Sequence, residues 1–143
     1  MTEERRCDRL QIMKTYLLAF LISVASVGAE IPNQFFHAVH QVETSGRFGA
    51  IKGDNGKALG PFQIHKVYWL DAMAFDKTIG GRYEDCSDYI YSQRVVTAYL
   101  LRYAKAAIAI GDVESLARIH NGGPTGHKRN STLPYWNKVK KNL

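Results

Sequence analysis

Two carboxylates lie eleven positions apart in the chain, and their settings differ. Glu43 comes at the end of an apolar helical pattern, whereas Asp54 lies in a glycine-rich turn. Enzymes that cleave glycosidic bonds use such a pair, with one carboxyl in apolar surroundings as proton donor and an ionised carboxylate in wetter surroundings as its partner. The pair therefore predicts a glycan-cleaving enzyme with Glu43 as the catalytic acid and Asp54 as the second catalytic carboxylate.

The position of Glu43 favours this role over that of a surface residue at a helix end. Pro32 to Glu43 is predicted to be the first helix, with Asn33 as its N-cap. Its apolar stripe has helical spacing and consists of Phe35, Phe36, Val39 and Val42. Glu43 borders that stripe. The last turn of a helix and apolar neighbours both disfavour a negative charge, so both favour the protonated form that a general acid needs.

Asp54 has a structural alternative, because Asp-Asn-Gly is a common turn sequence. Residues 50–52 and 57–59 flank Gly53 to Gly56 and predict a small β-hairpin with a tight turn. From the residues alone, Asp54 is either a turn residue or the second carboxylate.

Further polar and aromatic side chains are candidates for gripping a sugar polymer. Gln63 is the polar residue in the compact run Gly60 to Ile64, and tyrosine and tryptophan often stack on sugars, although they also fill cores. His120 and Asn121 precede a Gly-Gly-Pro bend, where they could reach a ligand or simply end a helix. The predicted substrate-binding residues are Gln63, Ile64, Tyr68, Trp69, His120, Asn121 and Tyr135.

No cofactor or metal ion is predicted. His37 and His40 stand three residues apart on the first helix, which is not the spacing of a helical zinc motif, and no later segment offers an evident third ligand. We expect both to be surface or core-edge residues.

The remaining elements are predicted to be helical. A second helix begins near Val67, and a long central helix runs from a cap at Ser87 or Asp88 to about Ile110. Gly111 ends it, and Asp112 caps a short helix that reaches His120. A last short helix opens at Ser131. The fold class is therefore mainly α, with a small β-hairpin between the first helices.

The N-terminus has the marks of a secretory signal. Four basic residues precede an uncharged apolar run, Tyr16 to Gly28, and small residues lead to Ala29. We predict a cleaved signal peptide at residues 1–29 and one catalytic domain at residues 30–143. A retained anchor is the alternative, and Met13 is an alternative start.

The net charge and the cysteine content limit which partners the mature chain can have. Residues 30–143 carry 15 basic and 10 acidic side chains, a net charge of +5, and a single cysteine, Cys86. A secreted basic domain suits an anionic polymer such as a cell wall. The basic residues are scattered and match no nucleic-acid-binding motif. We expect a monomer that binds an anionic wall polymer, without nucleic acid and without stable membrane insertion.

Several motifs occur in an order that resembles the invertebrate-type (destabilase-like) lysozymes, from about Phe35 to Val139. The most specific part is Asn-Gly-Gly-Pro followed by Ser-Thr-x-x-Tyr-Trp-Asn-Lys. The segments that carry the resemblance are Glu43 to Ser45, Asp54, Gly60 to Ile64, Tyr68 to Asp71, Tyr99 to Tyr103, Ala117 to Pro124, Lys128, Ser131 to Thr132 and Tyr135 to Val139.

The resemblance implies a small helical lysozyme-like fold, with the hairpin lining a glycan cleft. It also implies muramidase activity on peptidoglycan, with Glu43 at the position of the general acid and Asp54 at that of the second carboxylate. Members are usually rich in disulfides, unlike this chain.

Other functions stay open. The region around Glu43 and Gln63 is also similar to soluble lytic transglycosylases, which use a lone glutamate. A non-catalytic wall-binding protein is a further alternative. Isopeptidase activity would need a nucleophile and a base from Ser45, Ser131, His120 and His127, although no triad spacing stands out.

Overall fold

The computed structural model describes residues 30–143, and the predicted signal peptide lies outside them. Within the described part, six α-helices surround one core, which confirms the mainly α class. No helix among these residues is both long and apolar enough to cross a bilayer. The helices are α1 Asn33–Thr44, α2 Lys66–Phe75, α3 Tyr89–Tyr103, α4 Lys105–Ile110, α5 Val113–Gly122 and α6 Leu133–Lys140.

The first helix buries the predicted stripe. Phe35, Phe36 and Val39 are almost fully buried, as the helical spacing indicates. The predicted cap is wrong by one position: Pro32 takes the extended N-cap conformation, and Asn33 is already helical. The helix ends at Ser45, which adopts the left-handed conformation with φ 55°.

A small antiparallel sheet follows α1. Its strands are β1 Lys52–Gly53, β2 Ala58–Leu59 and β3 Ile64–His65, in the order β1-β2-β3. The pairing of Lys52 with Leu59 confirms the predicted hairpin, and a single 3₁₀ turn, Asp54–Gly56, joins its strands. The third strand was not expected, because two residues are too few to show an alternating pattern.

The predicted long helix is two helices. The chain leaves helical geometry at Ala104, where φ is −128° and ψ is 22°, and resumes as α4. Neither glycine nor proline occurs near this break, so the sequence carries no local signal for it. The predicted caps are correct: Asp88 accepts a hydrogen bond from the Tyr91 amide at 2.8 Å, and Asp112 accepts one from Ser115 at 3.0 Å.

The core lies around α3. Val95, Val96 and Leu100 are fully buried, and α3 packs against α2, α4 and α5. Cys86, which precedes α3, is also fully buried. Burial, followed by the nearby charges of Asp85 and Glu84, raises the pKa of the Cys86 thiol to about 12, so the side chain is a protonated core residue.

One close backbone approach fixes the sheet against the segment before α3. Gly60 has φ +79°, and a Cβ built on it would lie 1.8 Å from the carbonyl oxygen of Cys86. Gly56 has a similar φ of +85°, but a Cβ there would meet no atom within 4 Å. A side chain at Gly56 would therefore cause backbone strain alone, whereas a side chain at Gly60 would cause the same strain and a steric clash.

We predict that Gly60→Ala destabilises the domain far more than Gly56→Ala. Both substitutions carry the strain of a left-handed alanine, about 1–2 kcal/mol. Only Gly60→Ala also forces the sheet away from Cys86, which should lower the free energy of unfolding by roughly 2 kcal/mol more. Urea unfolding of both variants measures the difference, and equal losses would contradict the assigned packing.

Candidate active site

Both predicted catalytic carboxylates line one polar pocket. It has a volume of about 250 Å³ and lies between the end of α1, the sheet, α2 and α5. The residues around it are Glu43, Asp54, Ala58, Gln63, His65, Tyr68, His120 and Asn121. The structure therefore brings together five of the predicted substrate-binding and catalytic positions in addition to Glu43.

Glu43 projects from the last turn of α1 and is largely buried, with 18% of its side chain exposed. The Tyr135 hydroxyl on α6 donates a hydrogen bond of 2.6 Å to Glu43 Oε1. His120 Nε2 on α5 lies 3.5 Å from the same oxygen. The sequence predicted apolar neighbours for this carboxyl, but a phenol and an imidazole in fact surround it.

A second tyrosine supports His120 from behind. His120 is almost completely buried, and its Nδ1 lies 3.1 Å from the Tyr68 hydroxyl. The Tyr68 ring stacks on Tyr99, with 3.6 Å between centroids and an interplanar angle of 15°. Helices α2, α3 and α5 thereby fix the imidazole beside Glu43.

Both tyrosines near Glu43 keep their protons at neutral pH. Burial, then the charges of Tyr99 and Glu43, raises the pKa of Tyr68 well above its usual value. Burial, then the charge of Glu43 and the hydrogen bond to it, raises the pKa of Tyr135 in the same direction. Tyr135 is therefore a permanent hydrogen-bond donor to the carboxyl.

Asp54 has wetter surroundings. It begins the turn between β1 and β2 with φ 47°, and 55% of its side chain is exposed. Its Oδ2 lies 3.5 Å from His65 Nε2, also half exposed. An ion pair forms there when the imidazole is protonated.

His65 is the site residue that the sequence analysis missed. It pairs with Ala58 across the sheet and follows Ile64, which is in the core. Because successive residues of a strand face opposite sides, a recognised β3 would have placed His65 on the pocket side. The strand itself was the missing signal.

Gln63 has a structural role that its sequence position did not reveal. Its amide nitrogen donates to the carbonyl oxygens of Ile51, at 3.1 Å, and Gly60, at 2.8 Å. Its backbone adopts the left-handed conformation with φ 48°. Gln63 lines the pocket, but its amide donor ties together the chain just before β1 and just after β2.

Three predicted substrate-binding residues, Ile64, Trp69 and Tyr135, do not line the pocket. Ile64 is 1% exposed because it fills the core. Trp69 donates from Nε1 to the Tyr91 hydroxyl at 3.0 Å and packs near Tyr83, and neither of these residues lines the pocket. Tyr135 reaches the site only through Glu43. Asn121 is exposed at the pocket and can contact a ligand.

The histidines of α1 do not form a metal site with neighbouring ligands. His40 is buried, with Nε2 2.8 Å from the carbonyl oxygen of Arg47, and packs against Phe48, Phe62 and Tyr89. Among residues 30–143, no three His, Cys, Asp or Glu side chains are grouped to hold a metal ion.

A small helical domain with a buried and an exposed carboxylate in one polar pocket has the organisation of a glycoside hydrolase of the lysozyme class. The Destabilase family model matches residues 33–142, and the chain belongs to this family. The sequence-based recognition of the invertebrate-type lysozymes is thus confirmed.

Curated relatives and solved structures agree with this family assignment. The chain is 33% identical to a lysozyme of Ostrea edulis over 87% of this chain and 90% of the relative. It is 34% identical to a lysozyme of Meretrix lusoria, over 80% of this chain and 92% of the relative. The crystal structure of Tapes japonica lysozyme matches with a TM-score of 0.66 and 30% identity, covering 77% of this chain and 89% of that one.

The Meretrix lusoria lysozyme in complex with Aeromonas hydrophila PliI matches with a TM-score of 0.65 and 31% identity, over 81% of this chain and 93% of that one. The lysozyme-like fold is confirmed. The protein is a glycoside hydrolase of the muramidase type, and these relatives do not favour the lytic transglycosylase or non-catalytic alternatives.

We predict that Gln63→Glu destabilises the domain at neutral pH. The new carboxylate cannot donate to the carbonyls of Ile51 and Gly60, so two hydrogen bonds become repulsive contacts. The loss should be at least about 2 kcal/mol. Below pH ~4, where a glutamic acid regains a proton and one donor, part of the stability should return.

Asn121→Asp is the matched control, since it makes the same change at an exposed position of the same pocket. Thermal unfolding from pH 3 to 7 distinguishes the variants. Equal melting temperatures for Gln63→Glu and Asn121→Asp at pH 7 would show that the Gln63 amide does not hold the sheet.

Proposed function

We propose that the protein hydrolyses the β-1,4 bond between N-acetylmuramic acid and N-acetylglucosamine in peptidoglycan, with Glu43 as the proton donor and Asp54 as the second carboxylate. The observation that carries the proposal is the shared pocket, in which Glu43 is 18% exposed and Asp54 is 55% exposed. Two carboxylates with such different access to water are suited to opposite protonation states in one reaction.

The bond is broken by proton transfer from Glu43 to the glycosidic oxygen. As the C–O bond breaks, its electrons move to that oxygen, and positive charge develops on the anomeric carbon. Asp54, ionised in its exposed turn, attacks this carbon or stabilises its charge, and water completes the hydrolysis. Donation by Tyr135 stabilises the carboxylate that Glu43 becomes.

Asn121 and the net charge of the domain serve substrate binding. Asn121 lines the pocket with an exposed amide, which suits the acetamido and hydroxyl groups of the glycan. The net charge of +5 on residues 30–143 favours approach to an anionic wall polymer. Peptidoglycan therefore fits both the pocket and the charge of the domain.

Glu43→Gln should lower kcat by roughly 10²–10⁴-fold, because the amide cannot supply the proton. Asp54→Asn should also cripple hydrolysis, whereas a transglycosylase using Glu43 alone would retain most of its rate. Glu114→Gln is the control: Glu114 pairs with Arg118 on α5, outside the pocket, and its loss should leave kcat unchanged.

Clearing of a cell-wall suspension gives the rates, and mass analysis of the soluble fragments identifies the reaction. Reducing ends indicate hydrolysis, and anhydro ends indicate a transglycosylase. Full activity in Glu43→Gln would refute the assigned acid, and anhydro ends with an active Asp54→Asn would refute the hydrolase.

We also propose that the protein is secreted after removal of residues 1–29, with an antimicrobial action on bacterial walls outside the cell. The apolar run and small residues before Glu30 support this. A family match that begins at residue 33, after the proposed cleavage site, is also in keeping with this proposal.

Expression of the whole chain in a secreting host should release a protein whose N-terminus is Glu30, as measured by intact-mass and peptide analysis. Initiation at Met13 should give the same product, because the apolar run remains. Deletion of residues 2–29 should keep the protein in the cell. Recovery of residues 16–28 in the membrane fraction would show an anchor instead.

A further inference from the structure

Both polar contacts to the Glu43 carboxyl end on the same oxygen. The Tyr135 hydroxyl lies 2.6 Å from Oε1, and His120 Nε2 lies 3.5 Å from Oε1. Asp54 and His65 are the other titratable groups that face the pocket, on the side of the sheet. The two oxygens of Glu43 thus have different surroundings.

The orientation of the His120 protons follows from Tyr68. The Tyr68 hydroxyl is buried and keeps its proton, since burial raises its pKa well above the usual value. Its hydrogen-bond partner is His120 Nδ1, at 3.1 Å. If Tyr68 accepted from Nδ1, its own buried proton would lack this partner, which is costly. Tyr68 therefore donates, and neutral His120 carries its proton on Nε2, toward Glu43.

We propose that Tyr135 and His120, the latter oriented by Tyr68, are positioning residues that fix the acidic proton of Glu43 on Oε2, rather than contacts to the sugar. This inference rests on the proposed role of Glu43 as the acid. Oε1 accepts from Tyr135 and faces Nε2 of His120, so it serves as the carbonyl oxygen of the carboxylic acid and the proton belongs on the other oxygen. The acid then presents a single O–H group.

The arrangement serves proton transfer without carrying a proton itself. When Oε2 gives its proton to the glycosidic oxygen, Glu43 becomes a carboxylate and the C–O electrons remain on the leaving sugar. Tyr135 and His120 keep their protons and stabilise the new charge at Oε1. The same contacts return Glu43 to one orientation before the next turnover.

The pH profile separates positioning from sugar binding. Tyr135→Phe removes a donor to the carboxylate, so the alkaline limb of kcat/KM, which reports loss of the acid's proton, should move up by about one pH unit. We expect kcat to fall about tenfold and KM to stay unchanged. Tyr91→Phe is the matched control, since its half-buried hydroxyl donates to the Gly80 carbonyl away from the pocket.

The tautomer of His120 is a direct test that needs no turnover. Imidazole ¹⁵N spectra of the wild-type domain, recorded well above the ordinary pKa of histidine, should show the Nε2–H form at His120. Tyr68→Phe should mix the two tautomers. If that variant does not fold, the wild-type spectrum alone decides.

The failures are distinguishable. An active Glu43→Gln overturns the proposed function. An inactive Glu43→Gln with an Nδ1–H tautomer at His120 overturns only the positioning role. So does a Tyr135→Phe variant whose KM rises while the alkaline limb stays in place, because that result assigns Tyr135 to the sugar.

Discussion

The hydrogen bond between Tyr135 and Glu43 is the contact on which the site depends. It joins two residues 92 positions apart in the sequence and so fixes the C-terminal helix α6 to the end of α1. Removing water from a carboxyl costs free energy unless its oxygens find partners. Tyr135 donates a hydrogen bond to Glu43 from α6, and the His120 imidazole lies beside it on α5, so Glu43 can be largely buried and still face a polar pocket.

The rest of the fold keeps this arrangement rigid. The central helix α3 supplies Tyr99, on which Tyr68 stacks, and Tyr68 in turn holds His120. Each of these side chains sits on a helix packed in the core and not on a free loop. Glu43 itself ends α1, where Ser45 turns the chain toward the sheet that carries Asp54. The packing of the core therefore also determines the orientation of the side chains around Glu43.

Local patterns predicted the parts of the site that depend on a single element. The apolar stripe of α1 located Glu43 at the border of the core, and the turn signal located Asp54 between two paired strands. The side chains that contact Glu43 could not be predicted from local patterns, because Tyr135 and His120 approach it only through tertiary packing. His65 was missed because β3 is too short to show its period, and the break at Ala104 was missed because it lacks glycine or proline.

The difference between the two carboxylates follows from what each turn of the chain can bury. A helix end packed against α5 and α6 excludes water from Glu43 on most sides, while a 3₁₀ turn at the tip of a hairpin leaves Asp54 with solvent and one imidazole. Gln63 matters here because its amide ties together the two segments that flank this turn. The sheet, although its strands are only two residues long, therefore sets the position of Asp54 relative to Glu43.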